Sequence, residues 1–468
     1  MMLIKIAFRN ILRNARRSLM TTSAIAVGVA ALVLFGEFVG NVITGLQTQS
    51  VRRYGHLTVF RTGYFNFGAG NPGAYGIGDY QGVMRLIKDD PVIAPRLRVV
   101  TPNVTLFGIA GNFDIDASKT FFGFGVVPSD RDRMRKWDEY GQFDAPVPDD
   151  SGLRDDDETR GVIGVGLARV LGLCESLKLA DCPARAQVPA ETSRERAGPA
   201  SAVLELAERD REPGSAGREG TGPRLDLLAA TTGGAPNVLS LYVGKAEPQG
   251  AKELDDNFIA MHFSLAQKLL YGRGERKALG IVLQLQRTED MPGVRERLVA
   301  LLKEHGLDLE VRDFAELQPF YKQVIAMFGA IFSFLAVIMG VIVLFTVVNT
   351  MSMSVMERTS EIGTARAMGL RRAGIRRQFV IEGSLLGAIG ATVGLVLAAL
   401  LAFAVNHAGL TWTPPNQASP VPLRVLTSGV EVLNLAVWLG LVFMSTVAAL
   451  LPANRAARLP VVDALRHI

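Results

Sequence analysis

The most pointed spacing of chemically capable side chains in this 468-residue chain lies between Ser354 and Arg372. Glu357, Arg358, Thr359 and Glu361 crowd there, followed by Ile362, Gly363, Ala367 and Gly369 and then by Arg371 and Arg372. On a helix Arg358 and Glu361 stand one turn apart, so they pair with each other or meet opposite charges on a second protein. Helical spacing also gathers Met351, Val355, Ile362 and Ala365 towards one side and turns Glu357, Arg358 and Glu361 elsewhere, with Gly363 and Gly369 available to turn or end the helix. Such a helix can dock on a partner.

Other chemistry is sparse. The phosphate-cradling pattern G-x-x-x-x-G-K-[ST] is absent from the sequence, which removes ATP hydrolysis by the backbone nest and lysine that this pattern supplies. Gly161 to Gly166 is glycine-rich, but it reads as a strand end followed by a helix over Leu167 to Leu173. His56, His262, His305, His407 and His467 lack the close spacing of metal ligands, and two cysteines are too few for a Cys-rich zinc site, so no metal and no cofactor is expected on this chain. No defensible nucleophile and base set stands out, and the chain reads as non-catalytic. Cys174 and Cys182 suit a disulfide in an oxidising compartment; the alternative is two thiols too far apart to bridge. Tyr64, Phe65, Phe67 and Tyr75 are interleaved with glycines. Such aromatics either grip an apolar cargo or fold back onto a sheet as a surface loop.

What must hold these groups is set by apolar patterning. With 49% hydrophobic and 20% charged residues the chain is too apolar for disorder. The apolar residues concentrate in four blocks, Met20 to Thr44, Val324 to Met351, Phe379 to Val405 and Val432 to Leu451. Each is close to the ~20 residues that cross a bilayer as a helix. Basic residues flank them selectively: Lys5, Arg9, Arg13, Arg16 and Arg17 before the first block, Arg358 to Arg377 between the second and third, and Arg455, Arg458 and Arg466 after the fourth. By the positive-inside rule these flanks are cytoplasmic, which puts both termini inside and the stretch from Gly45 to Pro319 outside. The first block begins as a secretory signal does, but its apolar run is too long and no clear cleavage site follows, so it is expected to stay as a span. A formal charge of +5 without a concentrated basic patch outside the membrane flanks is too small to imply nucleic-acid binding, and no nucleic-acid partner is expected.

The expected fold is an α-helical membrane domain of four transmembrane helices plus a large mixed α+β extracytoplasmic domain inserted between helices 1 and 2. Its expected limits are an amphipathic cytoplasmic segment at 1–18, helix 1 at 19–44, the ectodomain at 45–319 with a flexible polar insertion at 183–236, a stalk and helix 2 at 320–353, a cytoplasmic helical loop at 354–378, helix 3 at 379–405, a short external loop at 406–431, helix 4 at 432–451 and a cytoplasmic tail at 452–468. Strands are expected at Leu57 to Phe60, Arg98 to Gly108, Thr120 to Val127, Leu239 to Gly244 and Leu279 to Leu285. Short amphipathic helices are expected around Met84 to Ile87, Leu265 to Leu270 and Val294 to His305, with another near Val203 to Ala207 inside the insertion.

The loop from Glu357 to Gly363, followed by Ala367, Met368 and Gly369, closely resembles the signature of the MacB/FtsX-type (type VII) ABC transporter permeases. Ala7 to Asn14 with Arg17, Asn349, Glu382, Pro452, Arg455 to Arg458 and Pro460 resemble the same family, so the likeness covers all four spans and both flanks. The ectodomain matches in position and rough character alone. The resemblance implies a permease dimer, with a second copy or a paralogue, on two copies of a cytoplasmic ABC ATPase that holds the ATP and magnesium. It implies a bacterial inner-membrane location and mechanotransmission, in which ATPase closure passes through a coupling helix at Glu357 to Gly369 and up stalk helices to a periplasmic domain. The style with a separate ATPase is nearest to the lipoprotein-releasing LolC/LolE permeases. That implies an amphipathic cargo such as a lipoprotein, lipid, peptide or drug, and a periplasmic carrier, adaptor or outer-membrane component. The competing reading is an FtsX-like signalling subunit that activates a periplasmic cell-wall hydrolase and transports nothing.

Three further features have two readings each. Gly383, Gly387, Gly390 and Gly394 permit close helix approach, at a dimer seam or within one chain. Glu382 either complements a helix N-terminus or meets the ATPase. Glu37 is expected to snorkel to the external interface rather than relay protons.

Overall fold

The computed structural model describes residues 2–142, 151–179, 182, 222–272, 276–413 and 420–460. It divides into two compact units, one comprising Met1–Thr44, Lys322–Trp412 and Val421–Ile468, the other Gly45–Tyr321 and Thr413–Pro420.

The chain opens with helix α1 (Met2–Arg13) and, after a break at Asn14, helix α2 (Ala15–Tyr54). Strand β1 (Leu57–Arg61) follows, then a single helical turn α3 (Tyr64–Phe67) and helix α4 (Tyr80–Asp89). Asp79 starts α4 by accepting a hydrogen bond from the Gly82 amide at 2.9 Å, which satisfies one of the amides a helix start leaves free. Strand β2 (Leu97–Asn112) is long enough to serve two sheets: residues 97–103 pair with β8 (Gly280–Leu285), and residues 104–112 pair with β3 (Ala117–Val126).

The first half of β2 joins β8, β1 and β9 (Leu309–Asp313) in the order β2-β8-β1-β9, every pair antiparallel. Helix α4 bridges β1 to β2, and a later helix (Met291–Glu304) bridges β8 to β9, so the elements make a split β-α-β of ferredoxin-like type. Leu57, Val59, Ile281, Leu283 and Leu285 pack there against Ile87 of α4 and Val294, Leu298 and Leu301 of the later helix. Full burial of each such side chain stabilises by about 1.5–3 kcal/mol.

The second half of β2 belongs to a closed ring of six strands, running β2-β3-β7-β4-β6-β5 and back to β2, with β4 (Arg160–Gly164), β5 (Arg224–Ala230), β6 (Pro236–Glu247) and β7 (Phe258–His262). Leu106, Phe121, Leu225, Leu227, Leu241, Ile259 and Met261 fill its core. Among the described residues each of the six strands therefore has a partner on both sides. Helix α5 (Pro128–Arg135) follows β3, helix α6 (Val165–Val170) continues β4 and helix α7 (Phe263–Tyr271) continues β7; the Met291–Glu304 helix is α8.

The sequence expectation of an insertion over 183–236 needs correcting at its C-terminal end. Arg224–Ala230 is β5, paired with β6 along its length and with β2 at residues 226–228. Leu225 and Leu227 are fully buried and Asp226 between them accepts from Arg224 and Ser240, an alternation that the surrounding Gly, Pro and Ala had masked. Residues 183–221, with the helix expected near Val203, lie outside the described residues. Cys174 and Cys182 are joined by a disulfide with their Cα atoms 6.1 Å apart.

His56 gives this unit a built-in pH response. Its Nδ1 accepts from the Leu285 amide at 2.9 Å, so the neutral ring carries its proton on Nε2, which donates to Thr288 Oγ1 at 3.2 Å. Burial lowers its pKa from 6.5 to about 3. The unfolded chain therefore binds a proton below 6.5 that the folded chain refuses down to about 3, so stability falls as pH is lowered through this window. The slope is about 1.4 kcal/mol per pH unit. Asp90, Glu158 and Glu316 have depressed pKa values and contribute below the ordinary carboxylate range, so the difference between wild type and His56→Gln in unfolding measured between pH 5 and 6.5 gives the histidine's share. His56→Gln should flatten that part of the profile.

Helices α9 (Pro319–Glu357), α10 (Thr359–Ala367), α11 (Arg372–His407) and α12 (Glu431–Arg458) complete the chain. Among the described residues α2, α9, α11 and α12 are the four helices long and apolar enough to cross a membrane. Phe334, Val337, Val341 and Phe345 on α9, Leu400 and Phe403 on α11 and Leu439 and Phe443 on α12 are exposed, an outer surface suited to hydrocarbon. Beneath it Ile25, Val29, Val343, Val347, Leu386, Leu441 and Ala449 form the core of this helical unit.

Candidate coupling site

Helix α9 ends at Glu357, Arg358 breaks the run, and α10 begins at Thr359. The Thr359 hydroxyl donates back to the Val355 carbonyl at 3.1 Å and the Met356 carbonyl at 2.9 Å, which fixes the bend. Ile362 and Gly363 are buried and hold α10 to the helical core. Gly369 adopts φ +97°, a left-handed conformation that favours glycine, and the chain turns there towards α11.

Glu357, Arg358, Glu361 and Arg366 of this loop find partners within the chain. Arg358 points inward, its guanidinium 3.1 and 3.3 Å from the Glu382 carboxylate, 3.3 Å from Glu361 and 5.2 Å from the centre of the Phe379 ring. The Arg358 and Glu382 side chains are 8% and 5% exposed. Glu361 accepts two hydrogen bonds from Arg13 of α1, at 2.9 and 3.1 Å, and Glu357 pairs with Arg17 at the start of α2. Burial pushes the Glu361 carboxyl up, but Arg13 and then Arg358 outweigh it and hold the group below its usual range. Thr21 and Thr350 hydroxyls meet at 2.6 Å, one turn further along α2 and two turns back along α9. Arg366 donates to the Leu459 carbonyl beyond the end of α12. Five helices, α1, α2, α9, α10 and α11, are thus tied at one end by ion pairs and hydrogen bonds.

This geometry revises the reading of Glu382. Helix α11 starts at Arg372, ten residues before it, so Glu382 stands in the helix interior as the buried partner of Arg358 and neither caps an N-terminus nor reaches a second protein. Glu37 is also buried, with its carboxylate 3.5 Å from Asn434 Nδ2, rather than extended to an interface as expected. Gly383 and Gly387 face Ala449 and Ser445 of α12, and Gly390 and Gly394 face Ile25 and Val29 of α2, all within this chain. A Cβ at Gly394 would lie 2.6 Å from the Ala26 carbonyl oxygen and 2.5 Å from Val29 Cβ. Gly394→Leu should therefore lower stability by about 1–3 kcal/mol through overpacking. Gly440→Leu on α12, where a Cβ meets nothing within 4 Å, is the control, and thermal unfolding of the two variants gives the comparison.

The exposed surface on and around α10 includes Ala367 and Met368, which the sequence reading placed in the signature, together with Met356, Ser360, Thr364 and Leu370, which it did not single out. Met356, Ser360, Thr364, Ala367, Met368 and Leu370 are exposed, Met368 at 79%, beside Arg371, Arg372, Arg376 and Arg377. The sequence signal was available: 356, 360, 364 and 367 recur at the spacing of one helix face.

The aromatic segment after β1 is arranged differently from the coupling residues. Tyr64 stacks on Phe60 with ring centres 5.1 Å apart, Phe65 meets both edge-on, and Tyr75 lies 6.2 Å from Tyr64. Arg312 lies 5.2 Å from the Phe65 ring centre. Three of the four aromatics fold onto one another, and Phe67, 74% exposed, projects alone.

Comparison with known proteins gives this unit of long apolar helices its class. Residues 326–461 match the family of the FtsX-like permease C-terminal domain. The chain is 28% identical over 239 residues to a macrolide export ATP-binding/permease protein MacB of Hyphomonas neptunium, covering 50% of this chain and 34% of that protein. It is 30% identical over 234 residues to the MacB of Nitrobacter winogradskyi, covering 49% and 34%. It is 32% identical over 159 residues to an uncharacterized ABC transporter permease of Methanocaldococcus jannaschii, covering 33% and 39%. The chain carries an FtsX-like permease domain and is homologous to the MacB ABC transporter permeases. It spans between about a third and two-fifths of the length of these relatives.

Proposed function

We propose that this chain is the permease subunit of an ATP-driven transporter in a bacterial inner membrane, with both termini cytoplasmic, four spans and the α/β unit in the periplasm. It works as a dimer, with a second copy or paralogue, on two copies of a separate ATPase that holds the ATP and magnesium, and it has no catalytic role itself. The coupling loop, residues 354–378, takes up the closing motion of the ATPases and passes it on by mechanotransmission to extract or export an amphipathic cargo, in the manner of LolC/LolE permeases. The observation that carries this reading is the outward face on and around α10, from Met356 to Leu370, which lies within the FtsX-like match while Arg358 and Glu361 are paired with the chain's own helices. Transport is favoured over cell-wall signalling because the MacB relatives are named for export. Tyr64, Phe65, Phe67 and Tyr75 remain candidate cargo contacts, with Phe67 the most accessible.

The test is a mild-detergent pull-down of the full chain with crosslinking and mass spectrometry. An ABC ATPase crosslinked within residues 354–378, together with a lipoprotein, carrier, adaptor or outer-membrane component on the α/β unit, supports transport. A cell-wall hydrolase or its activator in that second place would replace transport by signalling, and recovery without any ATPase would reject both.

A further inference from the structure

A basic cavity stands apart from the coupling loop. It has a volume of about 200 Å³ and lies in the α/β unit among Lys88 in the last turn of α4, Arg98 near the start of β2 and Arg133 in α5, floored by Ala94, Leu97 and Val99. No carboxylate lines it among the described residues. Arg133 is held in place by Asp130, but Lys88 and Arg98 are exposed and ion-paired to no described residue.

The backbone explains why Arg98 points here. In the ladder between β2 and β8, Leu97 pairs with Leu285 and Val99 with Gln284, so Arg98 is the extra residue of a β-bulge and has no partner across the sheet. Bulges re-aim a side chain at the expense of ladder regularity and recur at binding sites. Val99 and Val100 are both buried after it, so the irregularity keeps the hydrophobic register intact and places one arginine outside that register. Two unpaired cations and a tethered third around one concavity repel each other unless an anion lies between them. A cavity of this size is below the ~300–1,000 Å³ of clefts that hold drug-sized ligands, so it suits a small oxyanion or a headgroup rather than a whole lipid.

We infer that the cavity between α4, the β2 bulge and α5 is a binding site for a phosphate-bearing anion, held by Lys88, Arg98 and Arg133. Arg98 is suited to two-pronged contact with phosphate oxygens, while Lys88 acts as a point charge. The site does not depend on the permease reading.

The test uses the full chain in a neutral detergent and titration calorimetry with inorganic phosphate, glycerol 1-phosphate and, as background, glycerol. Binding of phosphate compounds should weaken at least tenfold in Lys88→Gln/Arg98→Gln, persist in Arg85→Gln on the same α4 helix but outside the cavity, and fall as salt is raised. Tighter binding of glycerol 1-phosphate than of inorganic phosphate identifies a lipid-type headgroup; equal binding identifies the phosphate group alone. Both support the site. Heats no larger than those of glycerol, or equal binding by the double variant, would overturn it. Because Lys88 and Arg98 are exposed, unfolding does not confound the variant, and Lys88→Arg/Arg98→Lys should restore binding.

Discussion

Replacing Arg358 with alanine should remove about 3–5 kcal/mol of stability, because it strands the Glu382 carboxylate without its partner in a buried site. The two groups lie 3.1 Å apart and almost fully shielded, so the carboxylate has no water to turn to. Glu382→Ala should do the same through the unpaired guanidinium. Arg358→Met with Glu382→Leu, which removes both charges and keeps the volume, should return close to the wild type. The two singles, the Ala/Ala double and the Met/Leu pair, followed by thermal unfolding of the full chain in detergent, form a cycle in which the pair's coupling is read directly. Arg13→Ala is the contrast: Arg13 and Glu361 are each 53% exposed, and an exposed pair contributes about 0–1 kcal/mol. Arg358→Ala within about 1 kcal/mol of the wild type would mean that the five-helix junction is held by packing and not by this ion pair.

The second large effect is on assembly. Met368→Asp with Leu370→Asp should weaken association with the ATPase at least about 30-fold, equivalent to about 2 kcal/mol, because charge replaces the apolar tip of the loop. Both side chains are exposed, so folding of the permease should be unaffected, and unfolding temperature serves as the internal check. Affinity is measured with the purified ATPase and the detergent-solubilised chain. A change of less than about threefold, smaller than about 1 kcal/mol, would move the docking surface elsewhere. Glu361→Lys tests a separate property, since reversing that charge breaks the link between α1 and α10 and should uncouple ATP hydrolysis from work while leaving assembly intact.

The four long helices were legible because apolar runs near twenty residues have few alternatives, and β1, β2, β3, β6 and β8 were legible from alternation and β-branched content. Strands β5, β7 and β9 were not. Strand β9 reads Leu-Glu-Val-Arg-Asp and lies at the end of the strand order, where a polar sequence is normal; β7 is five residues long; and β5 follows a polar, Pro- and Gly-rich stretch. The closed ring depends on β2 meeting both β3 and β5, a pairing of residues more than a hundred positions apart that local pattern does not encode. At the coupling loop, spacing identified the pairing of Arg358 with Glu361 but not the partners Arg13, Arg17 and Glu382, which arrive from three other helices. The loop's charges were therefore legible as chemistry, while the inward direction of Arg358 came from tertiary packing.

The most direct measurement places a photoactivatable side chain at Met356, Thr364 or Met368 in turn and, as an inward control, at Ile362, in membranes that contain the ATPase. Crosslinks from the three exposed positions to the ATPase, strongest at Met368 and absent at Ile362, are the predicted result. Failure of all three to reach the ATPase, with the complex otherwise intact, would contradict the assignment of this face as the point where ATP-driven motion enters the chain.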